Sequence, residues 1–380
     1  MNLIIKNYLK KFIYYLDFLL PKTTKTILYD SFPDFSDNTF VVFKSIATSN
    51  LKHKHVWLIK EPNNIEFYKN KINLNNLNKN KVIFVKKNSF KGIVYYLFTK
   101  LVFTNIGVIS GIKIPKKHIV INLWHGMPIK AIGKNLTKNY LLENSKEKQL
   151  KSFSYILSTS SLYTKILKTS FEVDESKVLE FGMPRNDLLK KNIVSNSKKN
   201  FLWMPTYSEN SQSSLIFNFL EEEEINQLNK VLVKNKMFLT IKLHMLENNY
   251  NYNFDLSNIE LIDNNYFLKS GIEIYEYMNK FDCLITDYSS VSIDFLVTDK
   301  PIYLVSKNYD EYFKSRGYSW SGFKDIYEDI CINNFEEFCK IFGNLPNKQF
   351  NKLEKDFISE RENATEKLLN FVIKKGYLHV

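Results

Sequence analysis

The residues best suited to handle an anion sit together in Leu284-Ile-Thr-Asp-Tyr-Ser-Ser290. The apolar run Cys283-Leu284-Ile285 reads as a buried strand. Thr286, Asp287, Ser289 and Ser290 then crowd hydroxyls and helix-capping groups into one turn, and an amphipathic run through Asp294 and Phe295 follows. Strand, hydroxyl turn and helix start direct N–H groups and hydroxyls at a spot beyond a strand's carboxyl end, a setting that binds phosphates. Two histidines hold the matching position on other strands. His125 follows the run His118-Ile-Val-Ile-Asn-Leu123, in Leu123-Trp-His-Gly-Met-Pro-Ile-Lys130, where Gly126 and Pro128 make a sharp loop. Histidine is the natural base for taking a proton from a hydroxyl. His244 closes Thr240-Ile-Lys-Leu-His244, and Lys242, two residues earlier, shares its strand face. Gly182-Met-Pro-Arg185-Asn-Asp187 presents an arginine able to fork onto a phosphate, and Arg316-Gly317-Tyr318 offers a second.

Each of these has a plainer reading. His125 is then a histidine that only bonds its loop, and Lys242 an edge-strand lysine beside an unrelated histidine. Arg185 closes a loop by pairing with Asp187, and Arg316 lies on the surface. Glu221 to Glu224 read as a solvated helix start, where the macrodipole favours carboxylates, and they lack metal-ligand spacing. Cys283, Cys331 and Cys339 form no CxxC or Cys/His pattern and read as packing residues in a reducing compartment.

The elements that must position these groups alternate. Strands are expected at Thr26–Tyr29, His55–Ile59, Lys81–Val85, Leu101–Thr104, His118–Leu123 and Tyr155–Ser158, and Val178–Phe181 leads into the Gly182 turn. Between them helices are expected at Phe40–Thr48, Phe90–Phe98, about Leu141 to Phe153, and Ser160–Thr169, with a polar Asn/Lys-rich linker before Lys81. A second series has strands Phe201–Met204, Phe238–Leu243, Ile259–Ile262, Cys283–Ile285 and Pro301–Val305. Its helices are Glu221–Lys234, Ile272–Asn279, Glu336–Phe342 and about Leu353 to Lys374. Such alternation implies parallel sheets in two Rossmann-like halves. The expected organisation is an amphipathic helix at 1–20, an N-terminal domain at 21–189, a Ser/Asn/Lys-rich linker at 190–200, and a C-terminal domain at 201–380 that includes the last helix.

A chain of 380 residues fits two such cores. The formal net charge of +13 points to an anionic partner, or reflects a general abundance of lysine. The lysines are dispersed, with no basic stripe of interleaved aromatics, which argues against nucleic acid. Met1 to Leu20 is too often interrupted by charge to span a bilayer; its wide apolar face, bordered by lysines, suits either an in-plane interfacial helix or a first helix packed on the domain.

Taken in order, Trp124-His125-Gly126-x-Pro128-x-Lys130, Gly182-x-Pro184-Arg185-x-Asp187, Pro205-Thr206-Tyr207, Lys242-x-His244, Leu284–Ser290 with Asp294-Phe295, and Arg316-Gly317-Tyr318 resemble the CDP-glycerol glycerophosphotransferase family of teichoic-acid and capsule synthesis. The resemblance covers about residues 85 to 320. It implies a GT-B-like fold with the two parallel sheets facing a central cleft. It also implies transfer of an alditol phosphate from a CDP-activated donor to a hydroxyl of a lipid-linked or polymeric acceptor, at the cytoplasmic face of the membrane. On this reading His125 is the base, and His244, Lys242 and Arg185 neutralise the pyrophosphate. Ser289 and Ser290 hold donor phosphates, Thr286 and Asp287 shape that turn, and Asp294 orients a neighbour. Gly126, Lys130, Thr206 and Arg316 complete the substrate-binding set. No cofactor or protein-bound metal is expected; magnesium, if used, arrives with the donor. Met127, Ser208 and Met245 stand where the family usually has Thr, Arg and Pro, and a Pro-Gly-Pro segment is replaced near Phe323-Lys-Asp-Ile-Tyr327. These substitutions leave CDP-ribitol or another CDP-linked donor open beside CDP-glycerol. A GT-B glycosyltransferase using a nucleotide-sugar is the alternative.

Overall fold

A computed structural model describes residues 3–49, 51–108, 114–136, 152–191, 199–206, 219–243, 256–307, 309–343, 354–359 and 362–378. It divides into two compact units, Met1–His125 with Asn139–Asp187 and Ser359–Val380, and Gly126–Lys138 with Leu188–Ile358.

The first unit is built on strands β1 (Thr23–Asp30), β2 (Lys54–Ile59), β3 (Val82–Lys86), β4 (Thr99–Thr104), β5 (Ile119–Asn122), β6 (Tyr155–Leu157) and β7 (Val178–Leu179). All pair in parallel, in the order β3-β2-β1-β4-β5-β6-β7. Burial of the central strands explains why Val56-Trp-Leu-Ile59 and Leu101-Val-Phe103 are apolar without alternation. Tyr29, Phe35, Phe43 and Trp57 pack as edge-on and stacked rings at 4.7–5.6 Å. The strand order reverses between β1 and β4, and the register sets Asp30, Thr104 and Asn122 in one row at the carboxyl ends. The loops that leave this row carry His125.

Two helices of this unit bear on the expectations. Leu3–Leu19 is a helix, packed on the first unit along one side. Ile13 and Asp17 are buried; Asp17 meets the Lys22 ammonium at 2.5 Å and His118 Nε2 at 2.7 Å. Tyr8, Phe12, Tyr15 and Leu19, spaced i, i+4, i+7 and i+11, form an exposed stripe on the opposite side. The C-terminal helix, Ala364–Lys374, was expected with the second half but belongs to the first unit. Asp187 accepts the N–H groups of Ala364 (2.9 Å) and Thr365 (2.8 Å), capping that helix, and Phe371 packs on Tyr155 and Phe181. The single helix expected from about 353 to 374 is broken: Glu354–Phe357 is separate, and Asn363 takes the left-handed φ of +62°. The helix expected at 141–153 falls, but for its last two residues, outside the described residues.

In the second unit β8 (Lys199–Met204), β9 (Met237–Lys242), β10 (Ile259–Ile262), β11 (Cys283–Thr286) and β12 (Ile302–Leu304) pair in parallel in the order β10-β9-β8-β11-β12. Phe201, Trp203, Leu228, Leu232, Leu239 and Ile285 form its core. The glutamate run does start a helix: Glu224 accepts the N–H of Glu221 at 2.8 Å, half of a capping box. Strand order reverses between β8 and β11, where Met204 and Thr286 are register partners.

Candidate active site

His125 lies in the first unit, on the loop after β5. Trp124 takes φ +53° and Gly126 φ +109°, so the backbone turns sharply on either side of the histidine; a side chain at Gly126 would be strained. The Trp124 ring stacks on the exposed imidazole at 4.6 Å and 20°. Nδ1 of His125 lies 3.0 Å from the carbonyl oxygen of Asn105. A carbonyl only accepts, so Nδ1 carries the hydrogen and Nε2 is the basic nitrogen. The same loop is held from its backbone side, because Arg185 donates from Nη2 to the His125 carbonyl oxygen and from Nη1 to Asp37 Oδ1, both at 2.9 Å. Arg185 is nearly fully buried. Its ion pair is with Asp37, rather than with Asp187, which caps the C-terminal helix; its guanidinium therefore holds a loop where the sequence suggested a phosphate fork.

Three residues around His125 escaped the sequence reading. Asn105 Nδ2 donates to Asp37 Oδ2 (2.7 Å) and to the Phe32 carbonyl (3.0 Å), and Asn105 Oδ1 accepts the Phe32 N–H (2.9 Å). Asn105 thus closes the gap between β1 and β4, where the strand order reverses. Asn38 Nδ2 donates to the Trp124 carbonyl (3.0 Å), and Asn38 Oδ1 accepts the Arg185 N–H (2.9 Å). Ser36-Asp37-Asn38 ahead of the apolar run from Phe40 is a helix-start signature, which marks the position but not its partners. Beneath this layer, Lys87 sits 2.6 Å from buried Asp30 and donates to the Gly107 carbonyl. Burial outweighs that lysine and pushes the Asp30 carboxyl up to about 6.

In the second unit the switch between β8 and β11 is closed in the same manner. Thr206 donates its N–H (2.8 Å) and hydroxyl (3.0 Å) to Asp287 Oδ2. Burial raises the Asp287 carboxyl to about 6, against the lowering effects of Thr206 and the Lys130 charge. Lys130 reaches this place through a short ribbon: it bridges Tyr318 antiparallel, and Ala131 donates to the Gly317 carbonyl at 2.9 Å. Its ammonium lies 5.3 Å from the Tyr312 ring, which stacks on Tyr288 at 3.9 Å. Residues from four separate motifs, Lys130, Thr206, Asp287 and the Arg316 turn, thus come together within one unit. Arg316 is exposed at the end of the helix Tyr309–Arg316.

Other expected residues take inward roles. The Thr286 hydroxyl donates to the Met204 carbonyl (2.7 Å), and Asp294 accepts the Tyr275 hydroxyl (2.7 Å); both are fully buried, so their bonds run within the protein around the turn. Ser289 and Ser290 are half-buried ahead of Val291–Phe295, a helix of five residues, and Ser290 itself takes helical angles. The Lys242 ammonium bonds Asn264 Oδ1 (2.9 Å) and the Leu243 carbonyl (3.0 Å). His244, Ser208 and Met245 lie outside the described residues.

Two Rossmann-like units with wholly parallel sheets define a GT-B-like α/β fold. The same fold occurs in the wall teichoic acid polymerase TagF, at TM-score 0.76 and 21% identity over 98% of this chain and 95% of that one. It also occurs, more distantly, in UDP-GlcNAc 2-epimerase of Neisseria meningitidis, at TM-score 0.57 and 12% identity over 92% of this chain and all of that one. Residues 12–371 match the family CDP-glycerol:poly(glycerophosphate) glycerophosphotransferase, and the chain belongs to that family. CDP-glycerol glycerophosphotransferase activity goes with it. The chain is 26% identical to the teichoic acid poly(glycerol phosphate) polymerase of Bacillus spizizenii, across 75% of this chain and 74% of that protein. It is 24% identical to the Staphylococcus epidermidis polymerase across 80% of this chain, which is 43% of that longer protein. It also resembles the teichoic acid glycerol-phosphate primase of Bacillus subtilis, 28% identical across 45% of this chain and 44% of that protein.

Proposed function

We propose that this chain transfers glycerol phosphate from CDP-glycerol to a hydroxyl of a lipid-linked or polymeric acceptor in teichoic-acid-type or capsular polymer synthesis. The observation that carries this reading is the fixed imidazole of His125, whose Nδ1 is committed to Asn105 and whose basic nitrogen is Nε2. In the reaction the acceptor oxygen attacks the glycerol-bearing phosphorus and its proton passes to His125 Nε2. The phosphoanhydride bond breaks as the new ester forms, and CMP leaves with the bonding electron pair. That leaving group needs charge neutralisation more than a proton. Lys242, His244, Lys130 and Arg316 supply cationic or hydrogen-bonding groups for it, with Ser289 and Ser290 on the donor phosphates. Gly126 gives the backbone room beside the base, and Arg185 acts through the His125 loop. Turnover needs no protein-bound metal on this reading.

The chain attaches in plane to an anionic membrane surface through the outer stripe of the helix Leu3–Leu19, the cytoplasmic leaflet being where a CDP-linked donor is supplied. Support comes from the aromatic stripe, from exposed Lys11, and from Lys117, whose ammonium lies 5.4 Å from the Phe18 ring. No helix among the described residues is long and apolar enough to cross a membrane. The function is tested by incubating purified protein with CDP-glycerol, CDP-ribitol and nucleotide-sugars plus a soluble acceptor analogue, with and without chelator. CMP release with a phosphodiester product supports it. A glycosidic product, or no turnover of any CDP-alditol, refutes it.

A further inference from the structure

The groups that hold His125 converge on two adjacent residues, Asp37 and Asn38. Asp37 takes both straps of the loop, Asn105 on one carboxylate oxygen and Arg185 on the other. Asn105 supplies the carbonyl that fixes the imidazole, and Arg185 holds the carbonyl of His125 itself. Asn38, the next residue, grips the backbone of Trp124 and the N–H of Arg185. The Trp124 backbone is in the left-handed region, a conformation costly for a bulky residue and maintained only when its surroundings determine it. Asp37 takes φ +62°, so this start of the helix Asp37–Thr48 is itself held in an uncommon conformation. All six residues lie in the first unit, and Asn38, Asn105 and Arg185 are buried.

We infer that Asp37 and Asn38 are positioning residues for the base: they set the imidazole's tautomer and direction through Asn105, Trp124 and Arg185, without touching substrate. The inference rests on the reading of His125 as the base, but its primary test needs no substrate. With 15N-histidine labelling, long-range 1H–15N spectra report which ring nitrogen of His125 carries the proton, His125→Gln identifying its signals among the six histidines. Wild-type protein shows the Nδ1–H form. Asp37→Ala and Asn38→Ala shift His125 toward the Nε2–H form that an unrestrained side chain prefers in water, and Asp37→Asn, which keeps one acceptor oxygen, shifts it less. In turnover assays the alanine variants lose at least about tenfold in kcat, as weakened base alignment implies, while the KM for CDP-glycerol stays within about twofold. If an alanine variant does not fold, Asp37→Asn and Arg185→Lys carry the test, since lysine keeps the charge but not the two-pronged geometry. An unchanged tautomer in folded variants, or a fall in donor affinity equal to the fall in kcat, overturns the inference. A wild-type protein inert toward CDP-alditols but with His125 locked as Nδ1–H and released in the variants refutes the proposed function alone.

Discussion

At the scale of single residues, the molecule separates groups that act from groups that hold. His125 is exposed, stacked and fixed through one nitrogen; Arg185, Thr286 and Asp294 have the same polar character but bond inward. Replacing His125 by alanine is expected to lower kcat by about a hundredfold or more at saturating donor and acceptor, as loss of a positioned base does; near wild-type turnover removes it from the mechanism. Combining Ser290→Ala with Lys242→Ala should weaken CMP and CDP-donor binding in a protein that still folds, and unchanged CMP affinity by calorimetry would sink that assignment. Asp287 gives a pH prediction. Its folded value of about 6 stands above the ordinary 3.8. The folded state therefore holds this proton more tightly than the unfolded chain. The associated stability is fully present below about 4 and lost as pH rises through 6. Between pH 7 and 5 wild type should gain about 1 kcal/mol relative to Asp287→Asn in chemical denaturation. The comparison cancels His55, whose folded value, lowered to about 4 by burial, works in the opposite direction as pH falls. Equal slopes for the two proteins would refute the Asp287 shift.

At the scale of elements, the helix Leu3–Leu19 has two unlike faces, one buried and one exposed. Its inner face is tied by Asp17 to Lys22 and His118, both almost fully buried. Breaking a buried pair strands the remaining charge, so Asp17→Ala should lower unfolding free energy by on the order of 3 kcal/mol. Its outer aromatics, Tyr8, Phe12 and Tyr15, are exposed. Phe12→Ser with Tyr15→Ser should leave stability within about 0.5 kcal/mol yet reduce sedimentation with anionic vesicles severalfold. Should that variant unfold, or bind vesicles as wild type does, the outer face is not the anchor. The helix Ile65–Leu74 shows why composition can mislead: within an Asn/Lys-rich stretch that reads as a linker, Tyr68 and Ile72, four apart, are buried on one side, Tyr68 against Phe35 and Phe84.

At the scale of the whole molecule, charge is the property to test. With a net +13 and the exposed stripe, the proposed membrane attachment would combine apolar burial with attraction of roughly 1 kcal/mol per near-surface lysine. Raising salt from about 0.1 M to 1 M shortens the screening length to about 3 Å, so vesicle binding should fall sharply but not vanish. Salt-independent binding would leave the apolar stripe alone responsible; complete loss would leave charge alone.

The sequence by itself determined what repeats locally. Eleven of the twelve strands among the described residues are where apolar runs bounded by turn residues placed them, because a buried strand writes itself as a short apolar segment; β7, two residues long, is too short to announce itself. The order of the histidine, hydroxyl-turn and Arg-Gly-Tyr motifs, fixed in the chain, was enough to resemble the family that residues 12–371 match. Tertiary structure alone decided the partners. A cap such as Asp187 announces that it will accept N–H groups; that those belong to a helix 177 residues later depends on where the chain returns. The same is true of Asp37 with Arg185 and of Thr206 with Asp287, pairs separated by 148 and 81 residues that close loops at strand ends. Hydrogen-bonding capacity is a property of residue type. Which donor meets which acceptor is set by sheet order and register, and no spacing along the chain records that.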